Sequence, residues 1–188
     1  MIDSSFTSPK FLSEQECESI IQSCLEKKEL EIATVNVRGN YEVFEEARKS
    51  KVSFFPYTPD YDWLLNRIKD FLNKHIKLKG YDFNFEVNFQ FTHYGQGEHY
   101  GWHQDDSNEG PAADRVCSIV IQLSDDYEGG YLQYKKNGVN TYPKQRGHMH
   151  IFPSNWAHQV TPVTKGTRYS LVSWFGLTKQ VDYKSTLL

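Results

Sequence analysis

Two short pairs of residues in this chain could together hold a metal ion. His103 and Asp105 are separated by one residue, and His158 precedes Arg168 by ten positions. Two imidazoles and one carboxylate form the one-sided ligand set of non-haem Fe(II) oxygenases, which leaves coordination positions open for a co-substrate and dioxygen. A nearby arginine can pair with a carboxylate held in such a site through its planar, two-point fork. The pattern therefore predicts a metal-dependent oxidising enzyme.

The residues around these pairs make the pattern more specific than a His-x-Asp triplet alone. With 7 histidines in 188 residues, a single triplet is weak evidence. Because alternate residues of a strand point to one face, His103 and Asp105 can act together, with His158 arriving from a strand packed opposite. The flanking segments read YGQGEHYGWHQD over residues 94–105, EGGYL over 128–132, GHMHIFPS over 147–154 and TRYSLVSW over 167–174.

These segments resemble the Fe(II)/2-oxoglutarate-dependent dioxygenases of the prolyl 4-hydroxylase and lysyl-hydroxylase-domain (PKHD-like) type. The resemblance covers residues from about 48 to 174, where Arg48 and Ser50 match the family's upstream Arg-x-Ser. It implies a mainly β fold, with a double-stranded β-helix (jelly-roll) core buttressed by N-terminal helices. It also implies Fe(II) as the metal cofactor, 2-oxoglutarate and O2 as co-substrates, succinate and CO2 as products, and ascorbate as a reductant.

The resemblance also implies a role for each matching residue. Arginine at position 168 is unlike the collagen-type prolyl 4-hydroxylases, which usually have Lys there, so a collagen-like substrate is not implied. Related halogenases lack the carboxylate that Asp105 provides, so its presence favours hydroxylation. The implied iron ligands are His103, Asp105 and His158; Arg168, Tyr94 and Ser118 hold the far carboxylate of 2-oxoglutarate; Tyr100 and Trp174 contact substrate.

The expected reaction is hydroxylation of a substrate C–H bond. A prolyl residue in a peptide or protein is the favoured target, because residues 94–105 and 168–174 look most like that branch of the family. Lysyl side chains, other residues and free small molecules remain open as alternatives. The polar segment 38–50 has no clear period, so it is interpreted as a mobile loop near the substrate.

Three other classes of protein fit parts of the pattern. A cupin would carry His-x-His where this chain ends its triplet in Asp105, and it gives no reason for Arg168. A nucleic-acid demethylase of the AlkB type would have a second arginine six positions after the first, where Trp174 stands. A metal-free jelly-roll binding module would leave the convergence of four polar residues unexplained.

Composition limits the remaining possibilities. A length of 188 residues predicts one domain, 1–188, with a helical buttress over about 1–80 and a β-core over about 81–178. A net charge of -3 gives no general attraction to nucleic acid or to an anionic membrane, and no apolar run could span a bilayer. Residues 1–10 lack a signal-peptide pattern. Three cysteines without a Cys-x-x-Cys favour a reducing, cytoplasmic setting. The oligomeric state is not indicated.

Periodicity and turn residues predict the elements that must position the site. A capping box at residues 13–16 opens a helix to about residue 28, and Pro59 begins a second helix. Phenylalanines alternate with polar residues over 83–91, which predicts a strand with one buried face. Further strands are predicted at 30–37, 51–55, 99–105, 115–124, 130–134, 139–143, 147–152, 157–163 and 168–176.

Four of the other histidines, His93, His99, His148 and His150, are interpreted as ordinary polar side chains. His148 and His150 could suggest a second metal site, but alternate positions near a sheet edge are the simpler interpretation.

Overall fold

The computed structural model describes residues 3–27, 29–37, 40–56, 59–76, 80–86, 88–108 and 110–180. Two short 3₁₀ turns, Pro59–Tyr61 and Pro111–Asp114, accompany the regular elements of this part of the chain. Those elements are β1 (Phe6–Ser8), α1 (Glu14–Lys27), β2 (Glu31–Ile32), β3 (Val35–Val37), β4 (Asn40–Glu42), β5 (Arg48–Lys49), β6 (Lys51–Pro56), α2 (Asp62–His75), β7 (Tyr81–Phe85), β8 (Asn88–Tyr94), β9 (His99–His103), β10 (Cys117–Gln122), β11 (Glu128–Gly129), β12 (Leu132–Lys135), β13 (Val139–Thr141), β14 (Met149–Pro153), β15 (His158–Val160), β16 (Val163–Lys165) and β17 (Arg168–Lys179).

Two antiparallel sheets form the core. The larger sheet has the strand order β1-β14-β10-β17-β8-β6-β2, with β7 also paired to β17. The smaller sheet has the order β13-β12-β15-β9-β5. One apolar cluster joins them, with Val120 and Phe152 from the larger sheet and Leu132 and Val160 from the smaller one. The predicted mainly β, jelly-roll fold with N-terminal helices is confirmed.

The larger sheet is buried on both faces, and its strands present different chemistry to each side. In β10 every residue is buried: Cys117, Ile119 and Ile121 join the core that contains the helices, whereas Val120 joins the core between the sheets. Successive side chains of a strand point to opposite faces, so a single strand serves both layers. The face of the larger sheet that packs against the helices stabilises the sheet. The other face, directed toward the smaller sheet, can therefore carry polar residues.

The two helices cover the outer face of the larger sheet. The predicted capping box is present, because the Ser13 backbone N–H donates to Glu16 and the Glu16 N–H donates to the Ser13 hydroxyl. Cys17 and Cys24 of α1 and Leu64 of α2 are buried in the same cluster, and burial of each such side chain contributes about 1–3 kcal/mol. Within the described residues, neither helix combines the length and the apolar character needed to cross a membrane.

The structure corrects the predicted loop over 38–50. Residues 38 and 39 lie outside the described residues, but β4 pairs with β3, and β5 pairs with β9. Arg48 lies opposite Tyr100 in that pairing, so the segment is tied to the smaller sheet. The sequence pattern did not predict these strands because their side chains are polar and each strand is only two or three residues long. Backbone pairing, rather than side-chain burial, holds them.

The N-terminal part is less purely helical than predicted. It contributes β1, β2 and β6 to the larger sheet and β5 to the smaller one. The strand predicted over 30–37 is two short strands in different sheets, and the strand predicted over 83–91 is β7 and β8, both paired to β17. Pro59 lies in a 3₁₀ turn, and α2 itself begins at Asp62.

His150 is a fully buried histidine with two hydrogen-bond partners. Its Nδ1 lies 3.1 Å from the Thr7 hydroxyl and its Nε2 lies 2.9 Å from the Pro143 carbonyl oxygen. The interpretation of His150 as an ordinary core residue agrees with these contacts. Burial lowers its pKa to about 4, with the Pro143 carbonyl opposing the shift and His148 and Arg168 adding to it.

We therefore expect His150 to make the fold sensitive to mild acid. An unfolded histidine has a pKa of about 6.5, so below that pH the unfolded chain binds a proton that the folded chain excludes. The contribution of His150 to the free energy of unfolding is fully present above pH 6.5 and falls by about 3 kcal/mol as the pH drops to about 4. Denaturant unfolding of His150→Gln across this range should show a flatter pH profile. The exposed-histidine control His75→Gln should keep the profile of the unaltered protein; an unchanged slope in His150→Gln would contradict the assignment.

Candidate active site

Strand pairing brings the two predicted ligand histidines side by side. His158 in β15 lies directly opposite His103 at the end of β9. The pairing then shifts, so that Val160 lies opposite Tyr100. The step from His103 to Tyr100 is three residues along β9, whereas the step from His158 to Val160 is two residues along β15. This bulge lets Tyr100 and His103 share a face, although a regular strand would point them apart. Their rings stack with centroids 3.5 Å apart and planes 11° apart.

His103, Asp105 and His158 offer three ligand atoms that all lie within 4.8 Å of one another. The Nε2 atoms of His103 and His158 lie 3.6 and 3.4 Å from the Asp105 carboxylate oxygens. Each Nδ1 lies 2.8 Å from a backbone carbonyl, that of Gly101 for His103 and that of Trp156 for His158. Such a hydrogen bond places the ring proton on Nδ1 and leaves the Nε2 lone pair for a metal. The donor set and its outer contacts fit Fe(II).

The Asp105 carboxylate is held from several directions. Its Oδ2 accepts hydrogen bonds from the Ser118 hydroxyl at 2.6 Å and from the Trp174 indole N–H at 2.9 Å. Its backbone N–H donates to the Ser154 carbonyl oxygen at 2.9 Å, and its own carbonyl oxygen accepts from Arg115 at 3.1 Å. These contacts fix both the position and the rotation of the carboxylate.

The charges of the triad depend on one another. Burial would raise the pKa of the Asp105 carboxyl, but His158 and His103 outweigh it and hold that pKa well below its usual range. Burial and the charge of His158 lower the pKa of His103. Burial acts against the charge on His158, yet the Asp105 carboxylate raises the pKa of that histidine. The site therefore keeps an anion among two imidazoles, which is an arrangement that a divalent cation can enter by replacing a proton.

Arg168 is a buried guanidinium without a carboxylate partner among the described residues. Its side chain is 1% exposed, and its Nη1 donates to the Ser170 hydroxyl at 2.9 Å. Its Nε and Nη2 are buried and make no hydrogen bond to the described part of the chain. An ordinary ion pair, the alternative interpretation of this residue, is therefore not observed there. A buried charge is costly unless it is paired, so an anion is the expected occupant of the space beside it.

One cavity of about 430 Å³ connects the triad to Arg168. Its walls include Tyr94, whose ring centre lies 5.3 Å from the Arg168 guanidinium carbon. Gly130 packs behind Arg168: its φ is +58°, and an added Cβ would lie 3.3 Å from the Arg168 Cδ. The EGGYL segment thus allows close packing around this side chain. Apolar side chains line the space between the two polar ends: Val120, Leu132, Val160 and Val172.

The structure corrects the position predicted for Ser118. It lies opposite Trp174 in the sheet, six residues along β17 from Arg168, which is roughly 20 Å at 3.3 Å per residue. Ser118 therefore contacts Asp105 and not the Arg168 end of the cavity. Ser170 occupies that end instead, where its hydroxyl contacts both Arg168 and Thr92. Arg168 and Ser170 are two residues apart and therefore lie on one face of the strand, and this spacing could have predicted their contact.

The two residues predicted to contact substrate have other partners in the structure, although both line the cavity. Trp174 is 6% exposed and directs its indole N–H to Asp105. Tyr100 lies between the His103 ring and the guanidinium of Arg48, which is 4.5 Å from the centre of the Tyr100 ring. Arg48 is itself buried and lines the cavity. Arg115, which the sequence analysis did not single out, contacts both Asp105 and Trp174.

Solved structures with this fold include prolyl hydroxylases. A prolyl-4-hydroxylase from Pseudomonas putida superposes with a TM-score of 0.69 at 20% identity, covering 93% of this chain and 92% of that one. A Trichoplax adhaerens prolyl hydroxylase, solved with a peptide fragment of the hypoxia inducible factor oxygen degradation domain, gives a TM-score of 0.71 at 17% identity and covers 93% and 84%. At these identities the likeness shows the fold.

Sequence comparison finds relatives over about half of this chain. A PKHD-type hydroxylase of Idiomarina loihiensis is 36% identical over 97 residues, 50% of this chain and 44% of that protein. Another from Synechococcus sp. (strain CC9605) is 35% identical over 95 residues, 48% of this chain and 43% of that protein. The matched region is thus less than half the length of these relatives.

A family profile matches the segment that contains the site. Residues 89–176 match the family described as the 2OG-Fe(II) oxygenase superfamily. This stretch contains the His-Asp-His cluster and Arg168, and it runs from β8 through β17. This stretch of the chain is therefore similar to the 2OG-Fe(II) oxygenase superfamily, and about half of the chain is similar to PKHD-type hydroxylases.

Proposed function

We propose that this protein is an Fe(II)- and 2-oxoglutarate-dependent hydroxylase. His103, Asp105 and His158 would hold the iron, and Arg168, next to Tyr94 and Ser170, would bind the far carboxylate of 2-oxoglutarate. The observation that carries the proposal is the buried, carboxylate-free guanidinium of Arg168 in the same cavity as three clustered metal donors. A dicarboxylate that reaches both ends of the cavity would pair with Arg168 at one end and with the bound metal at the other.

The residues around the cavity would have separate roles in such a reaction. Bound iron would supply the oxidising chemistry, in which one oxygen atom of O2 enters succinate and the other enters the new hydroxyl group, with loss of CO2. Gly101 and Trp156 carbonyls orient the imidazoles, and Ser118 and Trp174 orient the carboxylate. The apolar walls between the triad and Arg168 exclude water from the reacting groups. Ascorbate would act as a reductant that keeps the iron ferrous.

A prolyl residue of a peptide or protein is the substrate that we favour. The solved prolyl hydroxylases with this fold support the choice, and so does the mouth of the cavity. Tyr41 and Phe54 line the cavity and are 65% and 52% exposed, which provides apolar contact area for an extended chain. The buried Arg48 beside them offers hydrogen-bond donors for peptide carbonyl groups.

A lysyl side chain is the second candidate, and one observation favours it. Asp106 lines the cavity next to the metal ligands and forms no ion pair with a described residue. A carboxylate in that place suits an ammonium group. The three cysteines are buried and form no disulfide bond among the described residues, which accords with a reducing compartment such as the cytoplasm.

Removal of a metal ligand should abolish both metal binding and turnover. We expect His158→Ala to weaken Mn(II) binding by more than about 100-fold, because loss of a direct ligand should exceed the 10–100-fold effect of outer contacts. Isothermal titration with Mn(II), together with 2-oxoglutarate consumption in the presence of Fe(II), measures both effects. His99→Ala, on the same strand as His103, is the matched control and should bind as the unaltered protein does. Normal 2-oxoglutarate consumption by Asp105→Ala or His158→Ala would contradict the ligand assignment.

Arg168→Ala should separate co-substrate binding from metal binding. Loss of a charge-assisted, two-point contact with a carboxylate costs about 3 kcal/mol, so the KM for 2-oxoglutarate should rise about 100-fold. Mn(II) affinity should change by less than about threefold, because Arg168 contacts none of the three ligands. Steady-state kinetics with 2-oxoglutarate tests this. An unchanged KM in a variant that still binds Mn(II) would remove Arg168 from the site.

Substrate preference can be tested with matched peptides. In a set of peptides that differ only in having Pro or Lys at one central position, the Pro peptides should stimulate formation of succinate from 2-oxoglutarate and should gain 16 Da on proline, as mass spectrometry would show. Asp106→Asn should leave hydroxylation of proline peptides unchanged. Hydroxylation of the lysine peptides alone, and its loss in Asp106→Asn, would replace the prolyl proposal with the lysyl one.

A further inference from the structure

Glu86 and Arg115 form a two-point ion pair behind the metal-ligand cluster. Glu86 lies between β7 and β8, and Arg115 lies just before β10. The Arg115 Nε and Nη2 donate to the two carboxylate oxygens of Glu86, at 2.5 and 3.1 Å. A pair of this kind fixes the plane of the guanidinium as well as its position. Nothing in the family pattern of the sequence singled out either residue.

The fixed guanidinium contacts the metal-ligand end of the cavity in two ways. Its third nitrogen, Nη1, donates to the Asp105 carbonyl oxygen at 3.1 Å. Its carbon lies 3.9 Å from the centre of the Trp174 ring, so the flat faces of guanidinium and indole are in contact. Trp174 in turn donates its indole N–H to the Asp105 carboxylate at 2.9 Å.

Glu86 is also tied to Trp174 through the backbone. The Glu86 N–H donates to the Trp174 carbonyl oxygen at 3.1 Å. Both ends of Glu86 therefore reach the same tryptophan, one directly and one through Arg115. The closed set of contacts leaves the indole N–H little freedom to turn away from Asp105.

We infer that Glu86 is a positioning residue for the metal-binding carboxylate, acting through Arg115 and Trp174. The inference rests on the proposed role of Asp105 as an iron ligand. Without the Glu86 carboxylate, Arg115 loses the partner of two nitrogens, while its third nitrogen still contacts the Asp105 carbonyl oxygen. A guanidinium that turns toward Asp105 would compete with the metal for its oxygens and would release the indole that orients them. Glu86 thus keeps a cation close to the site but directed away from the ligand oxygens.

A purely structural role for the pair is the competing explanation, and the chain contains a matched control for it. Glu16 and Arg67 also form a two-point pair, through Nη2 and Nη1 at 2.7 and 3.0 Å, between α1 and α2 on the helical side of the larger sheet. Glu16 is 30% exposed and Glu86 is 29% exposed, so the two carboxylates are similarly accessible to solvent. Glu16→Gln should reduce stability in a similar way without any effect on the metal site.

The experiment compares Mn(II) affinity among variants by isothermal titration, with the unfolding midpoint measured in parallel. We expect Glu86→Gln and Trp174→Phe each to weaken Mn(II) binding about 10-fold, as loss of an outer contact does. The double variant should bind about as weakly as either single one, because both changes break one chain of contacts. Glu86→Asp, whose shorter side chain cannot reach both nitrogens, should lie between Glu86→Gln and the unaltered protein. Glu16→Gln should bind within twofold of the unaltered protein.

Each result has a distinct meaning. Unchanged Mn(II) affinity in folded Glu86→Gln, or additive losses in the double variant, would overturn the positioning role. If Glu86→Gln does not fold, Glu86→Asp decides the question, and affinity equal to that of the unaltered protein would overturn the inference. Failure of the unaltered protein to bind Mn(II), or equal binding by His158→Ala, would instead remove the proposed function itself.

Discussion

The buried carboxylate of Asp105 is the group on which the rest of the site depends. An anion in this position needs compensation, and it obtains it from two imidazoles, a hydroxyl and an indole N–H. The histidines come from neighbouring strands of the smaller sheet, whereas Ser118 and Trp174 come from the larger sheet. The carboxylate therefore bridges the two layers of the jelly roll. Any shift of one sheet against the other would change the metal-ligand geometry, so the packing of the whole core bears on the chemistry.

Strand alternation in the larger sheet makes this possible. The face of β10 and β17 that is directed toward the helices places Ile119, Ile121, Leu171 and Phe175 in the helix-facing core, so this face supplies apolar stability of its own. The inward face can then carry residues that are costly to bury, above all Arg168. Ser170, whose hydroxyl also contacts Thr92, satisfies only part of the hydrogen-bonding capacity of Arg168. The fold tolerates the remaining cost, and in our account the co-substrate carboxylate offsets it when bound.

The sequence predicted those parts of the site that depend on local periodicity and motif spacing. His103 and Asp105 could be placed on one segment because they are two residues apart, and Arg168 was singled out by its position ten residues after His158. The contacts of Ser118 and Trp174 with Asp105 could not be predicted, because they depend on the register between β10 and β17. The pair of Glu86 and Arg115 joins segments 29 residues apart by side-chain reach alone. The strands within 40–49 were not predicted because backbone pairing, of β4 with β3 and of β5 with β9, holds them and not an apolar pattern.

The central claim is that one cavity binds Fe(II) at the triad and 2-oxoglutarate between the triad and Arg168. The most direct test is an anaerobic titration of the unaltered protein with Fe(II) and then 2-oxoglutarate, followed by visible absorption. We expect a weak charge-transfer band that needs both additions and saturates at one 2-oxoglutarate per bound iron. Iron that binds without any band at saturating 2-oxoglutarate would exclude this co-substrate site and would favour a cupin-like metal site.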